Sequence, residues 1–175
     1  MKTLFTFILA LASTAIFAQA YTGQGDTKFQ VGANIQAEGT GITVTYDAGV
    51  GENISFGISS IYLLGVTNFP KESLGHEEAK FLDRFDLRAR FNANLSNVLN
   101  IDENFDLYPG LNLGLKNFGG HLGARYFFTE GFGVYSELQI PIAFYKNKDS
   151  YTEFEESRKE LNNEYSVSIG AVFNI

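Results

Sequence analysis

Asp86, Arg88 and Arg90 stand at every second position of one short stretch, and Lys28, Asp47, Asp106, Arg125 and Glu137 also alternate with apolar residues. Charges spaced by two project to one side of an extended chain. Gathered in a narrow space, they could pair with one another or line a solute or proton path, and buried charges persist only where partners meet them. The pattern assigns no catalytic residue. Of the two histidines, His76 lies in Gly75-His76-Glu77-Glu78 without the second histidine of a helical zinc-protease motif. It reads as a solvated loop residue. His121 lies on the polar side of its stretch, expected near one rim. A hydrolytic or acyl-transfer centre there would need Ser59 and Glu164 to reach it, and a hydrogen-bonded structural histidine is the simpler assignment. Gly49-Val50-Gly51 and Gly119-Gly120 precede no helix, which removes them as phosphate loops. With no cysteine in the chain, disulfides and thiolate metal sites are excluded. No metal and no cofactor are expected.

The elements that must carry these residues read as strands. Eight segments alternate apolar and polar residues with period two, beginning with Phe29, Val31, Ala33, Ile35 and Ala37 against Lys28, Gln30, Gly32, Asn34 and Gln36. The others run near Ile42–Val50, Ile54–Leu64, Phe85–Leu95, Phe105–Leu115, Leu122–Phe128, Val134–Phe144 and Tyr165–Ile175. The apolar side carries no charge in any of them. Ile61 and Leu63 blur the polar side of the third segment, and Pro109 interrupts the fifth, where proline marks a bulge or an edge. The fold class expected is all-β, an eight-stranded antiparallel up-and-down barrel with its strands crossing a membrane.

Connections alternate in length. Residues 38–41 and 117–120, with the long stretches 67–80 and 146–163, fall at one end; residues 51–53, 96–104 and 129–131, with both termini, fall at the other. Long polar loops at one end and tight turns at the other are the asymmetry of an outer-membrane barrel. In the second long loop, Ser150-Tyr151-Thr152-Glu153 has capping-box spacing, compatible with a short helix from Tyr151 to Leu161 or with a charged irregular loop. In the first, Phe69, Pro70 and Leu74 could cover the mouth of the barrel. Both loops are candidate surfaces for an extracellular ligand.

Residues 1–20 differ from the rest. Lys2, an apolar run from Leu4 to Phe17 and the ending Ala18-Gln19-Ala20 have the layout of a cleavable export signal. The expected division is a signal over 1–20 and a barrel domain over 21–175. The chain carries a formal charge of -7. Removal of the lysine makes it more acidic, a poor match to nucleic acid, whose affinity comes from neutralised phosphates.

Alternation leaves open which face is outside. A lipocalin-like soluble barrel turns its apolar side inward around a ligand, and a membrane barrel turns it outward. Here the apolar side is ordered by depth. Phe29, Tyr46, Phe56, Phe105, Phe128, Phe132 and Phe173 lie toward the short-turn end. Tyr62, Phe85, Phe118, Phe144 and Tyr165 lie toward the long-loop end, with aliphatic residues such as Val44, Ile58, Leu87 and Ile169 between. Two aromatic girdles around an aliphatic belt suit the two interfaces of a bilayer.

With these features the chain resembles the small eight-stranded outer-membrane β-barrels of Gram-negative bacteria. The resemblance rests on the signal, the eight alternating segments and the terminal segment Tyr165–Ile175, where Phe173 rather than the last residue is the aromatic. It implies Sec-type export to the outer membrane and a monomer. The partners implied are membrane lipid, lipopolysaccharide and the barrel-assembly machinery. The polar side then becomes the lumen. Lys28, Arg84, Arg88, Arg90, Lys116 and Arg125 are expected to face Asp47, Asp86, Asp106, Glu137 and Glu164, with Arg125 paired to Glu137, in a plugged, structural interior. Other roles compatible with the resemblance are a lipid-A-modifying enzyme and a narrow solute pore.

Overall fold

The computed structural model describes residues 19–66, 79–100, 102–145 and 161–175. Eight strands form one closed, fully antiparallel sheet in chain order: β1 (Thr27–Gln36), β2 (Gly39–Gly49), β3 (Ile54–Val66), β4 (Phe85–Ala93), β5 (Phe105–Gly114), β6 (Asn117–Thr129), β7 (Phe132–Phe144) and β8 (Ser166–Asn174). β1 closes on β8, with Phe29 opposite Phe173 and Gln36 opposite Ser166. Closure gives every strand a neighbour on both sides, so the sheet has no free edge strand.

Two connections are tighter than alternation suggested. Residues 39–41 and 117–120 belong to strands, leaving only Ala37–Glu38 and Leu115–Lys116 as turns. Glycines hid this, because Gly39, Gly41, Gly119 and Gly120 look like turn residues in one dimension. Gly119 lies against the neighbouring strand: a Cβ there would stand 2.6 Å from the Ile140 carbonyl oxygen. The stretch leading into β4 closes with a helical turn, Phe81–Arg84, so Arg84 belongs to this turn and not to the strand. The β4–β5 connection holds another, Ser96–Leu99. Pro109 sits just past the end of the β4–β5 ladder, which pairs only Arg88–Asn92 with Gly110–Gly114. A residue without an N–H is tolerated where no ladder bond is required.

The two faces are inverted relative to a soluble domain. Outside, Ile58 is 56 % exposed, Leu113 58 % and Ile169 56 %; inside, Arg90 is 3 % exposed and Arg125 1 %. Large apolar surface turned outward and fully buried charge turned inward are each unusual in a water-soluble monomer. Ile61 and Leu63, which blurred the alternation of β3, point inward and are buried. They meet Leu161 in a small apolar cluster at the long-loop end, flanked by Val66 and Ala79. A second cluster, Ala20, Phe127, Tyr135 and Val172, lies at the opposite end.

Candidate functional site

A lumen this narrow is built by matching bulk to glycine. Tyr108 on β5 pairs in register with Gly123 on β6, and the ring occupies the space a side chain at 123 would need. Two positions on, Gly110 pairs with His121 and makes the same room for the imidazole. Eight strands leave an interior that side chains just fill.

Charges form a continuous ladder through the middle. Glu137 accepts from Arg90 at 2.7 Å. Arg90 Nε lies 3.1 Å from Asp47, and Asp47 reaches Arg125 at 3.6 Å. Arg125 in turn donates to Asp106 at 2.7 Å and to Asn94 at 2.8 Å. The Tyr108 ring lies 4.1 Å from the Arg125 guanidinium, a cation–π contact in a water-poor setting. The expected Arg125–Glu137 pair is not what forms. In register Arg125 stands opposite Asp106 on one side and Tyr135 on the other, whereas Glu137 lies opposite Gly123. Glu137 therefore faces across the lumen to Arg90.

His121 sits in mid-barrel rather than at the rim, because β6 starts four residues earlier than the alternation indicated. Its Nε2 is 2.8 Å from Asn92 Oδ1. The Asn92 amide nitrogen donates to Ser55 Oγ at 2.9 Å, and the Arg90 guanidinium lies 3.2 Å from the same imidazole Nε2. Its Nδ1 is buried without a partner, and so is the Ser59 hydroxyl. Glu164 accepts from the Glu38 amide at the rim. The three residues do not assemble into a nucleophile, base and orienting acid. His76 and the Ser150–Glu153 segment lie outside the described residues. Among the described residues no group of three or more acids or histidines could hold a metal ion.

Both ends of the lumen are closed by the chain itself. At the long-loop end Asn162, held at φ 65°, enters the mouth. Its backbone N–H donates to Gln36 Oε1 at 3.1 Å, while its carbonyl accepts from Arg88 at 2.9 Å and Asn117 at 2.8 Å. Arg88 is tied to Asp86 at 2.5 Å and also donates to Gln139. Lys116 donates to the Asp83 and Leu161 carbonyls. Burial draws its ammonium pKa below the usual lysine range, with Asp86 and Asp83 pulling it back.

At the short-turn end Ala20 and Tyr21 fill the opening. The Tyr21 hydroxyl donates to the Ile54 carbonyl at 2.7 Å. Burial first, and then the Asp26 carboxylate, pushes its pKa up to about 12. Asp26 is buried and pairs with Lys28 at 2.6 Å. Among the described residues, fully buried charge consists of Lys28, Arg88, Arg90 and Arg125 against Asp26, Asp47, Asp86, Asp106 and Glu137, a net of -1. Arg84 and Lys116 stand part-exposed at the rim and fall outside this buried set.

The aromatic residues singled out by depth all face outward or lie part-exposed. Tyr126, Phe128, Phe132, Phe173 and Phe29 form a continuous arc over β6, β7, β8 and β1, with successive ring centroids 5.5 to 6.4 Å apart. Phe56 meets Phe91 at 5.2 Å. At the long-loop end Phe81 bridges Tyr62 and Phe85 at 5.3 and 5.5 Å. Phe81 escaped the sequence reading because it lies in a connection, where alternation carries no information.

Fold and interior together define the class: a closed eight-stranded up-and-down barrel with a charged, side-chain-filled lumen and an apolar exterior. Within it, the chain belongs to the family of unknown function DUF6646, whose sequence model matches residues 11–175. No curated protein matches it.

Proposed function

We propose that this chain is a transmembrane barrel of the outer membrane of a Gram-negative cell, exported by the signal at its start. Its closed lumen gives it a structural or surface-interaction role and not a transport role. The observation that carries the reading is the exterior. Ile58, Leu113 and Ile169 face outward between two levels of aromatic rings, as lipid requires and water penalises. Strands of 9 to 13 residues match the length needed to cross the hydrocarbon layer at a tilt. A soluble ligand carrier of the lipocalin kind needs an apolar chamber, and the centre here is filled by Arg90, Arg125, Asp47, Asp106 and Glu137. The same filling argues against a solute pore, and the unassembled His121 argues against a lipid-modifying enzyme. The partners proposed are membrane lipid and lipopolysaccharide around the belt and the assembly machinery during insertion. An external ligand would meet the stretches 67–80 and 146–163. Fractionation of expressing cells tests the reading. A band in the outer-membrane fraction whose gel mobility shifts on boiling is expected; recovery in the soluble periplasm overturns it.

A further inference from the structure

We infer that the export signal is removed by hydrolysis of the Ala18–Gln19 peptide bond, so that the mature chain begins at Gln19. The inference rests on the proposed export. A small-residue ending Ala18-Gln19-Ala20 points, by sequence rule, to a cut after Ala20. The fold needs Ala20. Its side chain is fully buried among Phe127, Tyr135 and Val172, and its amide N–H donates to the Glu103 carbonyl at 2.6 Å. Tyr21 is also buried, and Asn97 donates to its carbonyl at 3.4 Å.

A cut after Ala20 would empty the methyl site and replace the Tyr21 amide with an ammonium ion in a buried position. Taking that new charge out of water carries a desolvation cost. Gln19 is the first position at which a charged terminus meets water. It is exposed, and its side-chain amide donates to Asn97 Oδ1 at 3.0 Å. The cut must also fall beyond the apolar run that ends at Phe17, and Ala18 is the small residue between that run and Gln19. In the reaction, water supplies hydroxyl to the Ala18 carbonyl carbon and hydrogen to the Gln19 nitrogen as the C–N bond breaks. A signal-peptidase-type endopeptidase needs no other reactant. The retained residues then serve as the stopper of the short-turn end.

The test is intact mass and N-terminal peptide sequencing of the full chain exported in a Gram-negative host and purified from membranes. A start at Gln19, with its side chain free or cyclised onto the new amine, is expected. A start at Tyr21 overturns the assignment and leaves export standing, whereas a chain that still begins at Met1 overturns both. Chains released from a cleavable fusion at Gln19 or Tyr21 and refolded in detergent give a second readout. The shorter chain is expected to lose its folded gel band at a lower temperature, and equal stability overturns the structural basis.

Discussion

Arg90 and Glu137 are 47 residues apart in the chain and 2.7 Å apart in the lumen, each with a side chain almost wholly removed from solvent. Breaking one partner of such a pair leaves an uncompensated buried charge, at a cost of about 3–5 kcal/mol. Arg90→Met is therefore expected to lower the urea midpoint of the refolded barrel sharply. Arg90→Met combined with Glu137→Gln should recover part of the loss. Equal midpoints for wild type and Arg90→Met would show that the pair adds nothing.

Gly123 is present for the space above it. Gly123→Val drives a branched side chain into the Tyr108 ring, an overpacking cost of about 1–3 kcal/mol. The same substitution in a Tyr108→Ala background should be much milder. A thermal gel-shift series of the four proteins measures the coupling, and additivity would exclude direct contact as the cause.

Ile169 faces outward near the middle of β8. If lipid surrounds it, Ile169→Arg costs about 2–4 kcal/mol. If water does, the change falls within roughly 0.5 kcal/mol, as for ordinary surface sites. Folding titrations in lipid vesicles distinguish the two, with a large loss expected.

Closure of both mouths predicts a silent barrel. Planar-bilayer recordings of the refolded chain are expected to show no stable openings, and steady nanosiemens-scale channels would contradict the filled lumen.

Tyr21 gives an alkaline limit. Its hydroxyl titrates near 10 when unfolded and about 12 when folded. The neutral form is thus favoured by folding: this contribution is complete below pH 10 and is lost as pH rises through 12. Urea midpoints should fall across that window, and Tyr21→Phe should fall less steeply. An identical profile for the variant would remove Tyr21 as a contributor.

The alternation of apolar and polar residues determined a great deal without any tertiary information. It set the number of strands, the inward side of Lys28, Asp47, Arg88, Arg90, Asp106, Arg125 and Glu137, and the absence of charge from the other side. Period two is a local property of the extended chain, so it can be read residue by residue. Strand starts at Gly39 and Asn117 were hidden, because a glycine that makes room for its neighbour and a glycine that turns look alike in one dimension. Which charge meets which was also decided only by closure. Arg125 takes Asp106 and Glu137 takes Arg90 because the stagger of eight strands fixes who stands opposite whom, and that stagger sums every turn length and bulge around the sheet. The same holds for Ala20 and Asn162, which plug the two mouths. Nothing in their local sequence marks them, since their sites exist only after distant strands have closed around them.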